Sequence, residues 1–206
     1  METVNPLLFV NPPLSPNCLN PLYQFQPQLG GELTGELSPY FAGNRIFLRL
    51  HRNVGKSRTV VCRIIHVFEP FDTACVVAIS IERPPLGLEG MLVVKMFDRR
   101  FATSQRLKHG CAYWSRDIEV KFREFIRGRE SGSFLANLST KVPSEEGQKH
   151  WRVGRREAHI AAVMRRYYIT EMETYHRVRA LQGAYVPRCF GSVHLSWDCR
   201  MYRDIL

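Results

Sequence analysis

One lysine lies inside an otherwise apolar stretch of the chain. Residues 91–97 read Met-Leu-Val-Val-Lys-Met-Phe, with Lys95 as the charged member. Because side chains alternate across a strand, Val93, Lys95 and Phe97 should share one face. A buried ammonium group needs a partner or an anionic ligand, since an unpaired charge is costly to desolvate. From this strand alone, the alternative is an edge lysine that discourages aggregation.

A carboxylate in a later, helical segment is the candidate partner of this lysine. Glu171 lies four residues from both Tyr167 and Tyr175, inside the stripe that helical periodicity predicts to face the core. The predicted members of this stripe are Ile160, Met164, Tyr167, Tyr175 and Val178. Glu173 lies about 200° around the helix from Glu171 and should face water. The two segments together predict an ion pair between Lys95 and Glu171, since neither charge would be tolerated there alone.

Four strands and a long helix are predicted to position these two residues. Runs rich in Val, Ile, Phe and Leu, separated by turn sequence, predict strands at residues 45–50, 59–68, 74–81 and 91–97. Their connections are too short for parallel crossovers, so they should form an antiparallel meander. The long helix should run from about residue 155 to 181 and end before Gly183. Further strands are expected near residues 186–195 and 201–206.

An insert at residues 102–150 separates the lysine strand from the long helix. Within it, Ser115 precedes a predicted helix at about residues 117–126, which Gly128 ends. The remainder, residues 128–150, is predicted to be loop because it contains several Gly, Ser and Pro residues.

The beginning of the chain differs from the rest in composition. Residues 1–40 hold seven of the 12 prolines, which predicts an irregular or disordered leader. Residues 41–206 should then form the domain, with an α+β fold: a twisted antiparallel sheet with one long helix packed on it.

Composition limits the possible classes of protein. The sequence has no run of about 18 apolar residues, so no membrane-spanning helix is predicted. No secretory signal is visible either. The six cysteines include no Cys-x-x-Cys pair, which favours reduced thiols in an intracellular protein, cytoplasmic or nuclear. Cys189, His194 and Cys199 lack a fourth ligand at suitable spacing, so no metal site is predicted.

A Gly-Lys-Ser sequence at residues 55–57 is similar to the end of a phosphate-binding loop. That loop needs a further glycine five positions before Gly55, where Leu50 stands. It must also open a helix, whereas strand-type sequence follows here. A polar hairpin turn is the preferred interpretation.

An ordered set of motifs resembles the N-lobe of protein kinases and kinase-like phosphotransferases. The set comprises the strand lysine Lys95, a helix carrying Glu171, and Val186-Pro187 leading into another strand. More narrowly, residues 95–101 and 171–175, Leu181-Gln182-Gly183 and a charged insert containing Trp114 are similar to a fungal-type kinase-like group. The long helix would correspond to the helix called αC in kinases.

This resemblance implies specific roles and also shows two departures from the family pattern. Lys95 would hold the α- and β-phosphates of ATP, and Glu171 would orient Lys95. The turn at residues 68–73, which should be the Gly-rich phosphate cover, has no glycine and contains Glu69 and Asp72. His-Arg-Asp and Asp-Phe-Gly sequences are absent from the chain, so no catalytic residue is assigned.

The sequence therefore predicts a kinase-like N-lobe with weak or vestigial ATP binding and no catalysis by this chain alone, as in a pseudokinase. Because the sequence stops on the apolar pair Ile205-Leu206, we expect a truncated product whose partner could be a separately encoded C-lobe. The alternative is a non-catalytic interaction module that binds an acidic partner or nucleic acid through its basic helices, since the net charge is +10 and the basic residues cluster at 99–129 and 152–179. Arg155, Arg156, Arg165 and Arg166 would carry this binding. Nucleic acid is the less favoured ligand, because no RNA- or DNA-binding motif is present.

Overall fold

The computed structural model of the protein describes residues 7–10, 40–50, 58–85, 87–140 and 150–195. Its elements in chain order are β1 (Leu7–Val10), β2 (Arg45–Leu50), β3 (Arg58–Phe68), β4 (Cys75–Ile81), β5 (Met91–Met96), α1 (Thr103–Lys108), α2 (Arg116–Arg127), α3 (Glu130–Thr140), α4 (Val153–Arg177) and β6 (Cys189–Leu195). A 3-10 turn, Arg179–Leu181, follows α4. The predicted α+β class and the four meander strands are confirmed.

The strands form a curled sheet that closes on itself in the order β1-β5-β4-β3-β2-β6. Strands β2 to β5 are an antiparallel meander, and β6 pairs antiparallel with β2. Strand β1 is parallel to both β5 and β6 and completes the ring. Apolar side chains of β2 to β6 fill the interior; β5 contributes its alternate residues Leu92, Val94 and Met96. Closure was not expected from the sequence.

Strand β1 corrects the prediction for the leader at residues 7–10. Leu-Leu-Phe-Val is a proline-free apolar run between Pro6 and Pro12, and the facing edges of β5 and β6 supply backbone partners for it. An extended segment that satisfies its N–H and C=O groups on both sides is stable where an isolated one is not. Of the rest of the leader only Tyr40 is described, and it is buried in the core; the strand predicted at residues 201–206 lies outside the described residues.

Two helices of the insert, α1 and α3, were missed by sequence analysis. Residues 130–140 were predicted to be loop, and α3 forms there instead. The hydroxyl of Ser131 shares its one proton between the carbonyls of Ile126 and Gly128, which lie 2.9 and 2.8 Å from Oγ. Phe134 and Leu135 pack against the cluster between α2 and α4. Tertiary packing therefore overrides the turn preference of the Ser-Gly-Ser sequence.

The boundaries of the predicted helices agree with local capping signals. Ser115 caps α2 by accepting from the N–H of Ile118, and Gly128 is the C-terminal cap. Helix α4 ends at Arg177, and its expected last turn is the 3-10 turn. Gly183 follows with a φ of 82°, a conformation that glycine adopts readily.

The turn that contains Gly55-Lys56-Ser57 lies outside the described residues, but its flanks are defined. Leu50 of β2 pairs with Arg58 of β3 in an antiparallel register. A strand therefore follows this sequence, whereas a phosphate-binding loop must open a helix.

Candidate functional site

Lys95 lies on the outer face of β5, beneath α4. Its strand neighbours Val94 and Met96 point into the barrel. Val93 and Phe97, on the same face as Lys95, pack in a second cluster with residues of α4. This arrangement follows from strand alternation and agrees with the face predicted from the sequence.

The lysine and Glu171 form a two-oxygen ion pair across this interface. Lys95 Nζ donates to Glu171 Oε1 at 2.7 Å and to Oε2 at 2.6 Å. Both side chains are partly exposed, 28% for Lys95 and 25% for Glu171. The predicted pairing is confirmed, and Glu173 is exposed as expected.

The aromatic environment of the pair also restrains the ammonium group. Lys95 Nζ lies 5.4 Å from the centroid of the Phe97 ring, a distance at which the ring quadrupole attracts a cation. An ammonium has three N–H groups, and Glu171 uses two of them. Among the described residues no acceptor takes the third, so this partly exposed group can donate to an anionic ligand.

Two of the five residues predicted for the helix face that carries Glu171 depart from the prediction, namely Tyr167 and Val178; Val178 lies just beyond the end of α4. Ile160 and Met164 are buried as predicted, but Tyr167 is 37% exposed. Tyr168 takes its place and packs edge-to-face against Phe97, with ring centroids 6.2 Å apart. The packed residues lie at positions 160, 164, 168 and 172, so the buried stripe turns about 40° around the helix with each four-residue step.

A second and deeper set of ion pairs joins the same helix to the segment after β5. Glu157, which is 1% exposed, accepts from Arg106 Nη2 at 2.6 Å and from Arg99 Nη1 at 2.5 Å. Arg106 also donates to the carbonyls of Ala112 and Arg99, so all its donor nitrogens are used. Such a buried network is tolerable only because it is fully satisfied. We call Arg99, Arg106 and Glu157 the anchor.

The insert adds further contacts around the anchor. Glu119 of α2 pairs with Arg99 and accepts from Trp114 Nε1 at 3.1 Å. Arg99 also lies over the ring of Phe122, 3.8 Å from its centroid. Burial raises the pKa of Glu119, but Arg99 and the hydrogen bonds from Trp114 and Arg123 outweigh it and lower the pKa overall.

Sequence analysis did not identify the anchor. A signal was present, because Glu157 lies 14 residues before Glu171 and therefore within about 40° of the same helix face. The arginines gave no comparable signal, since Arg106 lies in a six-residue helix and a basic residue in such a segment normally faces solvent.

The turn between β3 and β4 is fixed by contacts of Phe71. Thr103 donates to the carbonyl of Phe71, and the ring of Phe71 packs on Tyr40 and Phe101. Glu69 and Asp72 are exposed at the tip. Two carboxylates and no glycine make this turn a poor cover for a phosphate.

Two other side chains beside Glu171 are held in their neutral forms. Burial raises the pKa of the Cys189 thiol; a backbone hydrogen bond involving Gly191 partly opposes this, and Glu171 raises it further. Burial likewise raises the pKa of Tyr175, and Glu171 adds to this effect. Because the thiolate is the nucleophilic form of cysteine, Cys189 is a poor nucleophile at neutral pH.

The described residues contain neither a cluster of metal ligands nor a helix that could span a membrane. In residues 7–10, 40–50, 58–85, 87–140 and 150–195, no group of three or more His, Cys, Asp or Glu side chains is arranged to hold a metal ion; Cys199 lies outside these ranges. Within the same ranges no helix has the length and apolar character required to cross a bilayer.

Comparisons with known proteins complete the description of the site. No protein-family model, no curated protein and no solved structure matches this chain. Any functional assignment therefore depends on the chemistry of Lys95, Glu171 and their surroundings.

Proposed function

We propose that this chain is a kinase-like phosphate-binding lobe, in which Lys95 holds the phosphates of ATP and Glu171 orients Lys95. The observation that carries the proposal is the two-oxygen contact from Lys95 Nζ to Glu171 between strand and helix. A carboxylate that fixes a lysine beside a partly open surface leaves a compact cation ready for a phosphate oxygen.

The exposure of the pair supports a binding role over a purely structural one. Partly exposed ion pairs contribute about 0–1 kcal/mol to stability, which is a weak reason to place a lysine in this apolar strand. The anchor already connects the same helix to the segment after β5 through buried contacts. The Lys95–Glu171 pair is therefore available for a ligand.

Catalysis by the chain alone is not part of this proposal. The sequence contains neither a His-Arg-Asp nor an Asp-Phe-Gly motif, and Cys189-Phe190-Gly191 lacks the metal-binding carboxylate. Phosphoryl transfer depends on those groups for metal binding and charge stabilisation. A separate C-lobe that supplied them would complete the site.

Nucleotide titration tests this proposal directly. We expect weak ATP and ADP binding by NMR chemical-shift changes, because Glu69 and Asp72 oppose phosphate at the adjacent turn. Lys95→Met should abolish the changes and Glu171→Gln should reduce them. Glu173→Gln is the matched control, since it makes the same charge change on the exposed face of α4. Binding that survives Lys95→Met, or no shift at millimolar nucleotide, would contradict the proposal.

A second candidate function is a basic interaction surface, and one observation favours it. Residues 174–195 contain no Asp or Glu, while Arg177, Arg179 and Arg188 are exposed there. On the helix itself the case is weaker, because Arg155 pairs with Glu130 at 3.0 Å and Arg156 donates to the carbonyl of Gly110. The end of α4 and the segment after it, which carry Arg177, Arg179 and Arg188, are thus the better candidate for an acidic partner or nucleic acid.

Salt dependence separates the two candidates. Binding of a labelled single-stranded oligonucleotide through arginines should weaken steeply with salt, because each neutralised phosphate releases counterions. Changing Arg177, Arg179 and Arg188 together to Gln should remove this binding, whereas Lys95→Met should not affect it. Tight binding with the arginines essential would replace the nucleotide proposal; an acidic peptide serves as the parallel probe.

A further inference from the structure

Strand β1 completes the barrel although it is short. It has four residues, and its register places Phe9 beside Lys95 of β5 on one side and beside Ser192 of β6 on the other. Because it is parallel to both neighbours, no hairpin connects it to either one. Residues 11–44, a connection of 34 residues, separate it from β2.

The two neighbours depend on β1 to different extents. Strand β5 is also paired with β4 along residues 91–96, so it has a second partner. In β6, only residues 193–195 pair with β2. Within the described chain, β1 is the strand partner of Cys189, Gly191 and Ser192, and the register skips Phe190. Removing β1 would leave a gap two strand spacings wide, about 9.5 Å, with an open edge on each side.

Strands β5 and β6 form the two walls of this gap, and both lie next to the candidate site. One wall carries Lys95. The other begins at Cys189, which pairs with Leu7 of β1 and packs in the cluster that contains Met172 and Tyr175 of α4. A strand in the gap therefore pairs with β5, which carries Lys95, and with β6, whose Cys189 packs beside the helix that carries Glu171.

We propose that the gap between β5 and β6 is a binding slot for an extended apolar peptide, which β1 occupies in cis. Sheets commonly bind peptides by adding a strand, with main-chain hydrogen bonds for affinity and alternate side chains for selectivity. Here the added strand would run parallel to β5 and β6, as β1 does.

The chemistry of the ligand follows from the walls and from the present occupant. The barrel-facing residues of the walls are apolar: Val94 is fully buried, and Met96 and Val193 are each 1% exposed. The occupant is the apolar run Leu-Leu-Phe-Val. A partner segment should therefore be four or more residues long, apolar and free of proline, because each N–H of a strand paired on both sides faces an acceptor.

A peptide competition experiment tests the slot in the full-length chain. The probe is a labelled peptide of residues 4–13, and binding is followed by fluorescence anisotropy. The Leu8→Pro chain disables β1 in cis, and Leu14→Pro is the matched control outside the paired register. Residues 11–39 connect β1 to the buried Tyr40, and a linker of 29 residues presents β1 at an effective concentration on the order of millimolar. We therefore expect the Leu8→Pro chain to bind the probe at least tenfold more tightly than the native and Leu14→Pro chains.

Two outcomes decide against the slot. One is a Leu8→Pro chain that still unfolds cooperatively but binds the probe no more tightly than the native chain. The other is equal binding of a probe that itself carries Leu8→Pro. Neither assay contains nucleotide, so the result is independent of whether Lys95 binds ATP.

A second measurement uses the native chain and tests the proposal even if the Leu8→Pro chain does not fold. Millimolar probe is added to the native chain, and amide hydrogen exchange is followed. Displacement of β1 should speed exchange at residues 7–10, while residues 93–96 and 189–192 stay protected by the probe. Unchanged exchange at residues 7–10 would overturn the proposal.

Discussion

Glu157 and Glu171 lie on one side of α4, about 21 Å apart along its axis, and both accept hydrogen bonds from side chains at or after β5. Glu157 is 1% exposed and binds two arginines. Glu171 is 25% exposed and binds Lys95. The same helix is thus fixed at one point by a buried network and held at another by an accessible pair, and the two points should respond differently to mutation.

Replacing Glu157 by Gln should strongly destabilise the protein. The substitution keeps the volume but leaves Arg99 and Arg106 without their shared buried carboxylate, which typically costs about 3–5 kcal/mol. The free energy of unfolding in urea measures the effect. Glu173→Gln, at an exposed site of the same helix, should change it by less than about 0.5 kcal/mol. A loss below about 1 kcal/mol for Glu157→Gln would contradict the structural role of the anchor.

The Lys95–Glu171 pair should show a small coupling energy by comparison. A double-mutant cycle with Lys95→Met and Glu171→Gln should give about 1 kcal/mol or less, because water screens a partly exposed pair. The readout is again urea unfolding. A coupling of about 3 kcal/mol or more would assign the pair a structural role and remove the main support for ligand binding.

Two glycine substitutions should change stability in opposite directions. A Cβ atom on Gly154 would lie 2.7 Å from the Cβ of Phe125 and in contact with the carbonyl oxygen of Lys121, where α4 crosses α2. Gly154→Ala should therefore cost about 1–3 kcal/mol through overpacking. Gly132, inside α3, has no atom within 4 Å of the added Cβ, so Gly132→Ala should stabilise by up to about 1 kcal/mol. Thermal unfolding that moves both midpoints in the same direction would contradict this packing.

His159 should make the protein sensitive to mild acid. It is 5% exposed, its ring lies 4.7 Å from that of His109 and 5.4 Å from that of Trp151, and neither ring nitrogen has a hydrogen-bond partner among the described residues. Burial, with the charges of His109 and Arg166, lowers its pKa from 6.5 to about 4. Between these values the unfolded chain binds a proton that the folded chain does not, so stability falls as pH decreases from about 6.5 to 4.

Comparison of the native chain with His159→Phe isolates the contribution of His159 to this pH dependence of stability. A shift of this size corresponds to at most about 3 kcal/mol, and local opening to water reduces it, so we expect roughly 1–3 kcal/mol. Urea unfolding at several pH values should show the native chain losing more stability than His159→Phe below pH 6.5. His176→Gln, at an exposed position of α4, should keep the native profile. Parallel profiles for the native and His159→Phe chains would refute the buried neutral imidazole.

The purified chain should show no phosphoryl transfer to protein or small-molecule acceptors. The groups that bind the metal and position the acceptor in kinases have no counterpart among the motifs of this sequence. Incubation with labelled ATP and Mg²⁺ is the measurement. ATP turnover that disappears with Lys95→Met would show that this expectation is wrong.

Much of the secondary structure could be predicted because its signals are local. The apolar runs of β2 to β5, the Ser115 cap of α2 and the stop near Gly183 each lie within a few residues of the element they define. The Lys95–Glu171 pair was also predictable, because two charges placed by strand and helix periodicity in apolar surroundings have few other ways to be satisfied.

The sequence by itself therefore determined the meander, the long helix and the charged pair between them. Only the tertiary structure decided that residues 7–10 close the barrel, that residues 130–140 are helical, and that Glu157 joins Arg99 to Arg106. Each of these features depends on partners distant in the chain: β1 lies more than 80 residues from β5, and Arg106 lies 51 residues from Glu157. Periodicity and capping act over one or two turns of chain, whereas these contacts form only when the folded backbone brings distant donors, acceptors and apolar surfaces together.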